Sequence, residues 1–409
     1  MTDLANSVLP LLRTRADLHR WGSANQHGLL MHEAVDILEA AVTDHDPQDV
    51  FAVTSKALAI SLTVIARADD SSGIIGNACR RLLELHPVVA ARASTPVASL
   101  VKWMIKFQFD NEVDYFELDP VAYAPALGQT GLKKYRLELD RIARELGPAP
   151  REEQRWSSPN SHLYFVLEWN GRRLAVLDKN VGEIIRTHLR DAKVAAWYQD
   201  TAEALAEVGE YSLAIEWARR GAEFDGGHQS ARAGDYWCEL LAQQQPDELL
   251  DARLTVFRRW PTAVHAMALH DAAGDDWSQY YDDVLAALST RPVEAVNFAH
   301  SSLGDIRLAW SLAHSLSLKD DRLWASMAKS YEKIDPLAVL PVLSRLVEAD
   351  LTETGAGQYI SAARRLKKMR RLALGSPEAS QVDDYIRGLR DTHRRRPRLQ
   401  SEFDRAGLP

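Results

Sequence analysis

The stretch YQDTAEALAEVGEYSLAIEWARRGAEFD, Tyr198–Asp225, decides how the whole chain is read. Tyr198, Ala202, Leu205 and Val208 recur at the helical interval, Gly209-Glu210-Tyr211 turns the chain, and Ala214, Ile215, Ala218 and Ala222 line a second helix closed by Phe224. Ala202, Ala214 and Gly221 are small where two helices must touch. The spacing predicts one helix–turn–helix unit whose apolar face needs a neighbouring unit to cover it.

Looser copies follow. Tyr236, Leu240 and Leu241 precede Leu250, Leu254, Phe257 and the Trp260-Pro261 stop. Ala266 and Leu269 lead to a turn at Gly274-Asp275, then Val284, Leu285 and Leu288 before Pro292. Val296 and Ala299 lead to Gly304-Asp305, then Ala309, Leu312 and Leu316. Trp324, Ala328 and Tyr331 lead to Asp335-Pro336, then Leu340, Leu343 and Leu346. An interval of about 30–36 residues is that of helix-pair arrays. The first unit resembles a tetratricopeptide repeat; the others match in period more than in letters, so tetratricopeptide-like, HEAT-like and generic helix pairs all stay open.

Upstream the period is also near 3.6, with no set of alternating strands. His32–Val42, Val50–Ala68, Ile74–Leu85, Val97–Phe109 and Gly131–Leu146 are the expected helices. Val50–Ala68 is apolar on most of its circumference and belongs at a domain centre. Ser71 or Ser72 is the expected cap of the next helix, and His86-Pro87 its expected end. Further helices are expected from His162 to about Arg190, with a break near Asn170-Gly171. The expectation is an all-α chain: a helical domain over 1–147, a linker over 148–161 opening on Gly147-Pro148-Ala149-Pro150, a helix-pair solenoid over 162–350, and a basic helical cap over 351–409. Trp197, Trp217, Trp237, Trp260 and Trp324 lie among apolar neighbours and are expected inside.

Composition is that of an ordinary globular protein, 46% hydrophobic and 26% charged. No run of 18 apolar residues reads as a membrane span, and no signal-peptide pattern opens the chain. Cys79 and Cys238 are too few for a disulfide framework or a cysteine-rich zinc site. A cytoplasmic protein without metal or cofactor is the expectation.

Net charge is −8 and unevenly placed: Gly355–Pro409 carries +7, which leaves −15 on the rest. Ala363, Leu366, Met369 and Leu372 make an apolar stripe between Arg364, Arg365, Lys367, Lys368, Arg370 and Arg371; Arg394, Arg395 and Arg396 follow. Those nine cations are the first candidate partner-binding surface, suited to carboxylate or phosphate. Their expected state is solvated, with docking on the acidic body or on a partner's acidic surface both open. Tyr359, Tyr385 and Phe403 are few for stacking on single-stranded bases.

The second candidate surface is acidic: Asp110, Glu112, Asp114, Glu117 and Asp119, among Phe107, Phe109, Tyr115, Phe116 and Tyr123. It reads as an inter-helix loop anchored by aromatics or as an electronegative docking patch; the calcium-loop Gly and terminal Glu are missing. Gly128-x-x-Gly131-x-Lys133-Lys134 lacks the spacing of a phosphate loop, and His32-Glu33-Ala34-Val35-Asp36 lacks the second His of a metalloprotease helix. No catalytic motif is found.

Tyr359…Ala362-Ala363…Leu366, with Tyr385…Leu389-Arg390…His393…Pro397…Leu399…Phe403, resembles the C-terminal tail of bacterial SWIM zinc-finger proteins. It also resembles an uncharacterised bacterial family that shares the tail without the finger. Arg13–Trp21, Ala68–Gly76 and Val113–Pro120 are similar to strings of that second family and favour it. The Cys-x-Cys and Cys-x-His ligand pairs of a finger are absent from the sequence, so the resemblance brings neither zinc nor finger-dependent DNA binding. The leading functional expectation is a non-catalytic scaffold binding a protein or peptide. A nucleic-acid-associated protein using the basic tail, and an enzyme with an unrecognised site, are the rivals.

Overall fold

The computed structural model describes residues 2–93, 95–110, 116–150 and 160–409. Every regular element among them is a helix, as the unbroken 3.6 period requires. The chain divides into two compact units: Met1–Lys193 with Trp197–Trp217, and Val194–Ala196 with Ala218–Pro409.

The first unit holds α1 (Asp3–Leu12), α2 (Trp21–Asp44), α3 (Pro47–Ile65), α4 (Ile74–Arg92), α5 (Val97–Phe109), α6 (Pro120–Leu146), α7 (Ser161–Leu177) and α8 (Val181–Leu189). Helix α3 packs against α1, α2 and α4, and α6 against α4, α5 and α7. Asp46 starts α3 by accepting the amides of Gln48 and Asp49, with Pro47 in the first turn, where a missing N–H is harmless. Helix α3 is long and apolar enough to cross a membrane by length and composition. In this unit Val53, Ala57, Leu58 and Val64 are buried against its neighbours.

Three local expectations are corrected. Helix α4 is capped by Asp70, not by Ser71 or Ser72. Gly73 at φ +74° swings the chain so that the Asp70 carboxylate accepts from Ile75 N and Gly76 N at 2.9 and 2.8 Å. A Cβ on Gly76 would stand 2.9 Å from that carboxylate. Helix α4 also runs past Pro87 to Arg92. Both His86 and Pro87 are buried, and tertiary packing outweighs the helix-breaking tendency. Helix α7 is unbroken through Asn170-Gly171, because Asn170 is an internal polar anchor; the turn falls at Asp178–Asn180, with Lys179 at φ +52°.

Helices α9 (Ala195–Glu207) and α10 (Tyr211–Phe224) carry the boundary between the units, with Gly209 at φ +89° in their turn. The second unit continues with α11 (His228–Gln244), α12 (Leu249–Arg259), α13 (Ala263–Ala273), α14 (Tyr281–Ser289), α15 (Pro292–Asn297), α16 (Ile306–Ser315), α17 (Asp321–Tyr331), α18 (Leu340–Thr352), α19 (Ala356–Ala373), α20 (Glu378–Thr392) and α21 (Pro397–Arg405). Gly274 and Gly304 take positive φ in two of the expected turns. Packing partners are mostly sequence neighbours: α11 with α12, α12 with α13, and each of α14 to α19 with the next, while α13 packs on α15 and α21 on α19.

The five tryptophans are mostly covered, as expected: Trp324 is buried, with 2% of its surface exposed, and Trp197, Trp217, Trp237 and Trp260 keep a minor part of their surface in solvent. Each helix keeps one face in solvent, and an indole satisfies both sides by laying its ring down and donating its N–H, as Trp260 Nε1 does to Gly226 O at 3.0 Å.

Candidate functional site: a basic cleft

Helix α19 begins at Ala356 after extended Gly355 and reads AGQYISAARRLKKMRRLA. Its apolar stripe is pulled inward as the spacing requires: Ala362, Ala363, Leu366 and Met369 are buried. Leu372 is only partly covered. The remaining faces carry the cations, which fall into two sets.

One set turns toward a cleft of about 640 Å³ lined by Arg364, Lys367, Lys368, Arg370 and Arg371, by Lys329 and Glu332 at the end of α17, and by Ala406-Gly407 after α21. Glu332 is the one acid in that lining. Its carboxylate pairs with Lys368 and lies 3.7 Å from Arg371, with only 17% of the side chain exposed. Arg370 is held by Asp383 at 2.7 Å and donates to Gly407 O at 3.0 Å. Among the described residues Lys329, Arg364 and Lys367 have no acidic partner, and Arg364 and Lys367 stand one helical turn apart on the exposed face. Six cations around one acid make a site whose field is strongly positive at short range.

The other set does not reach the cleft. Arg365 points away and pairs with Asp350 of α18 at 2.8 Å, both side chains mostly covered. Full solvation of the run is therefore corrected: four of its six cations are matched by acids of the same chain. The physical reason is that six like charges within eight residues repel unless paired. Arg396 donates to Leu351 O at 2.8 Å and ties the turn before α21 to the end of α18, while Arg394 and Arg395 are exposed. Arg390 is the deepest clamp of the cap, bonding Asp404, Leu408 O and Pro409 O with its guanidinium over the Phe403 ring.

Sequence reasoning missed Lys329 and Glu332, which lie outside the basic run. The signal for Lys329 was its place in the last turn of α17, where a cation is favoured; nothing in the sequence aims that turn at α19.

The described acidic candidates fall in two places: Glu117 and Asp119 line one cleft, and Asp110 lines another. Asp119 is structural: it caps α6 through Val121 N at 2.9 Å and pairs with the largely covered Arg173 at 2.8 Å. Glu117 and Asp119 both line a cleft of about 460 Å³ with Arg80, Glu84, Tyr123 and Trp169. Asp110 ends α5. Glu112 and Asp114 lie outside the described residues.

Most buried polar residues of the first unit have internal partners, whereas Thr54 Oγ1 and Ser61 Oγ have none. His86 Nε2 donates to Ser55 Oγ at 3.0 Å, Nδ1 accepts from Tyr123 Oη at 2.9 Å, and the ring stacks on Trp103 with centroids 4.3 Å apart. Ser55 in turn donates to Phe51 O, so that hydroxyl is spent on the helix rather than poised as a nucleophile. Burial drives the His86 pKa down to about 4. The Arg81 guanidinium fills the His32–Asp36 face, bonding Asp36 at 2.6 Å and Glu39 at 2.7 Å. Gly131 is a packing glycine: a Cβ there would stand 2.7 Å from Val97. Among the described residues no cluster of three or more His, Cys, Asp or Glu is placed to hold a metal ion.

A model of a family of unknown function, DUF6880, matches residues 13–271, and the chain belongs to that family. The matched stretch contains Arg13–Trp21, Ala68–Gly76 and Val113–Pro120 and ends before α14, so the basic cleft lies beyond it. No curated protein matches the chain.

Proposed function

We propose that this DUF6880 member is a non-catalytic helical scaffold that captures an acidic segment of a partner protein in the basic cleft of α19. The observation that carries the reading is the convergence of six cations from two helices, α17 and α19, on one cleft, with Lys329, Arg364 and Lys367 left without acidic partners. Unpaired cations beside a surface otherwise rich in acid steer an acidic ligand to one spot.

The neighbour-to-neighbour packing within α11–α13 and within α14–α20 supports a helix-pair solenoid of tetratricopeptide-like or HEAT-like kind, an architecture that offers long binding surfaces. Two buried free thiols, raised by burial to about 12 at Cys79 and about 11 at Cys238, suit a reducing compartment, and we place the protein in the cytoplasm on that ground.

The test is fluorescence anisotropy with a labelled Asp/Glu-rich peptide, on the wild type and on Arg364→Glu/Lys367→Glu. Both residues are exposed, so the double reversal keeps the fold. Affinity should drop at least about tenfold, and wild-type binding should weaken as salt rises from low to physiological ionic strength. Equal binding by the variant removes the cleft from the account. Salt-steep binding of a DNA duplex through the same two residues, without peptide binding, replaces the protein partner by nucleic acid.

A further inference from the structure

The first unit carries a second recognition surface of different chemistry, a groove of about 490 Å³ between α5 and α6. Its floor is apolar: Ala98, Val101 and Ile105 from α5 face Leu137 from α6. Leu137 is 55% exposed, on a surface position where a helix in water would normally carry a polar residue. The rim is mainly cationic, with Asp110 at the end of α5 and Glu138 on α6 as its two acids. Lys102 and Lys106 stand on the α5 wall and Lys134 on the α6 wall, and none of the three has an acidic partner among the described residues. Arg141, at the far end, is already matched by Glu138 at 2.9 Å and Glu145 at 2.7 Å.

We propose that this groove docks an acidic amphipathic helix of a partner protein. The lining residues recur at helical spacing on both walls, so the groove follows the helix axes. From Ala98 to Lys106 it runs about 12 Å, two turns of a docked helix. A helix with apolar side chains at i, i+3, i+4 and i+7 meets the floor, and carboxylates flanking that stripe meet lysines on both sides. Charge on both walls separates this occupant from a fatty acid, whose single carboxylate needs cations at one end only. The site is independent of the α19 cleft: it lies in the other unit, has an apolar floor, and needs a folded rather than an extended ligand.

The probe is a fluorescein-labelled synthetic peptide of about 18 residues, Leu at i, i+3, i+4 and i+7 with Glu on both flanks, titrated into the full-length protein. A scrambled peptide of equal composition, anionic phospholipid vesicles, and the protein's own mass by light scattering are the other arms. We expect the ordered peptide to bind, and Leu137→Asp and Lys102→Glu/Lys106→Glu/Lys134→Glu each to weaken it about tenfold with unchanged circular dichroism. Arg364→Glu/Lys367→Glu should leave this binding intact, which separates it from the cleft of α19. The proposal is overturned if the ordered peptide fails to bind, if the scrambled peptide binds as well, or if either groove variant binds normally. It is also overturned if vesicles take up the protein through these lysines, or if Leu137→Asp dissolves a homodimer, because the occupant is then a lipid surface or a second copy.

Discussion

The two units bury polarity in opposite ways. Of the ten buried polar residues among those described, eight lie in the first unit: His27, Thr54, Ser61, His86, Gln108, Asn170, His188 and Thr201. Several form networks. Asn170 Nδ2 donates to Gln108 Oε1 at 2.9 Å, Tyr135 Oη donates to Asn170 Oδ1 at 2.6 Å, and Gln108 Nε2 donates to Tyr135 Oη at 2.7 Å. The second unit buries only Ser230 and His265 and relies on ion pairs at half-covered edges, as in Arg365–Asp350, Arg370–Asp383 and Lys368–Glu332, which the first unit has beside its buried networks, as in Arg173–Asp119. A buried network admits one arrangement and punishes the loss of any member. Edge ion pairs are weaker, respond to salt, and leave neighbouring cations open to a ligand. The difference places specificity of fold in the first unit and adaptable electrostatics in the second.

The largest effect should come from apolar packing in the second unit. Trp324 is enclosed by Trp310 and His314, donates its N–H to Leu318 O, and carries the Arg345 guanidinium over its ring. Trp324→Ala should cost about 3–5 kcal/mol in denaturant unfolding. A loss near zero would mean that edge ion pairs, not the apolar core, hold this unit. Asn170→Ala should follow at about 3 kcal/mol, because it strands Gln108 Oε1 and takes the acceptor from the Tyr135 hydroxyl. A loss below that of Arg365→Ala would erase the contrast between the units.

Acidification sharpens the comparison. His86 and His188 are pushed down to about 4 by burial. Between the ordinary histidine pKa and 4 the unfolded chain binds protons that the folded chain refuses, so stability falls as pH falls through that window. His86 alone contributes a loss of about 3 kcal/mol. His265, in the second unit, goes the other way. Donation of a hydrogen bond from its ring to the Asp235 carboxylate raises its pKa, so its contribution is full below the ordinary histidine value and fades as pH rises through the folded one. Hydrogen exchange at pH 7 and pH 5 should show the first unit loosening on acidification, and His86→Phe should flatten that response. Loosening confined to the second unit would reverse the assignment.

The smallest effect is expected at the edge pairs. Arg365→Ala should cost about 1 kcal/mol, falling further with added salt. Insensitivity to salt would mean that the guanidinium works by packing rather than by charge.

Much of this was legible from spacing. The turns at Gly209, Gly274 and Gly304, and the helices they separate, follow from apolar period and glycine placement. Two errors share a cause, a local breaker signal overruled by contacts far away in sequence: Pro87 stays helical beside a buried His86, and Asn170-Gly171 stays helical because Asn170 reaches Gln108 and Tyr135. At α4 the cap is local, with Asp70 in place of a nearby serine. At the basic cleft, the run on α19 was visible as charge. Which cations face the cleft was not, because partners such as Asp350, Asp383 and Glu332 lie on other elements. Lys329 was invisible for the same reason.

The most direct test of the cleft uses the acid inside it. Glu332 neutralises Lys368 and Arg371 from within, so it competes with any anionic ligand for them. Anisotropy titration of the Asp/Glu-rich peptide into Glu332→Gln, a swap that keeps shape and removes charge, should give an affinity about three- to tenfold higher than wild type. The gain should disappear when Arg364→Glu/Lys367→Glu is added. An unchanged or weaker affinity in Glu332→Gln would contradict the cleft as the place where an acidic partner is held.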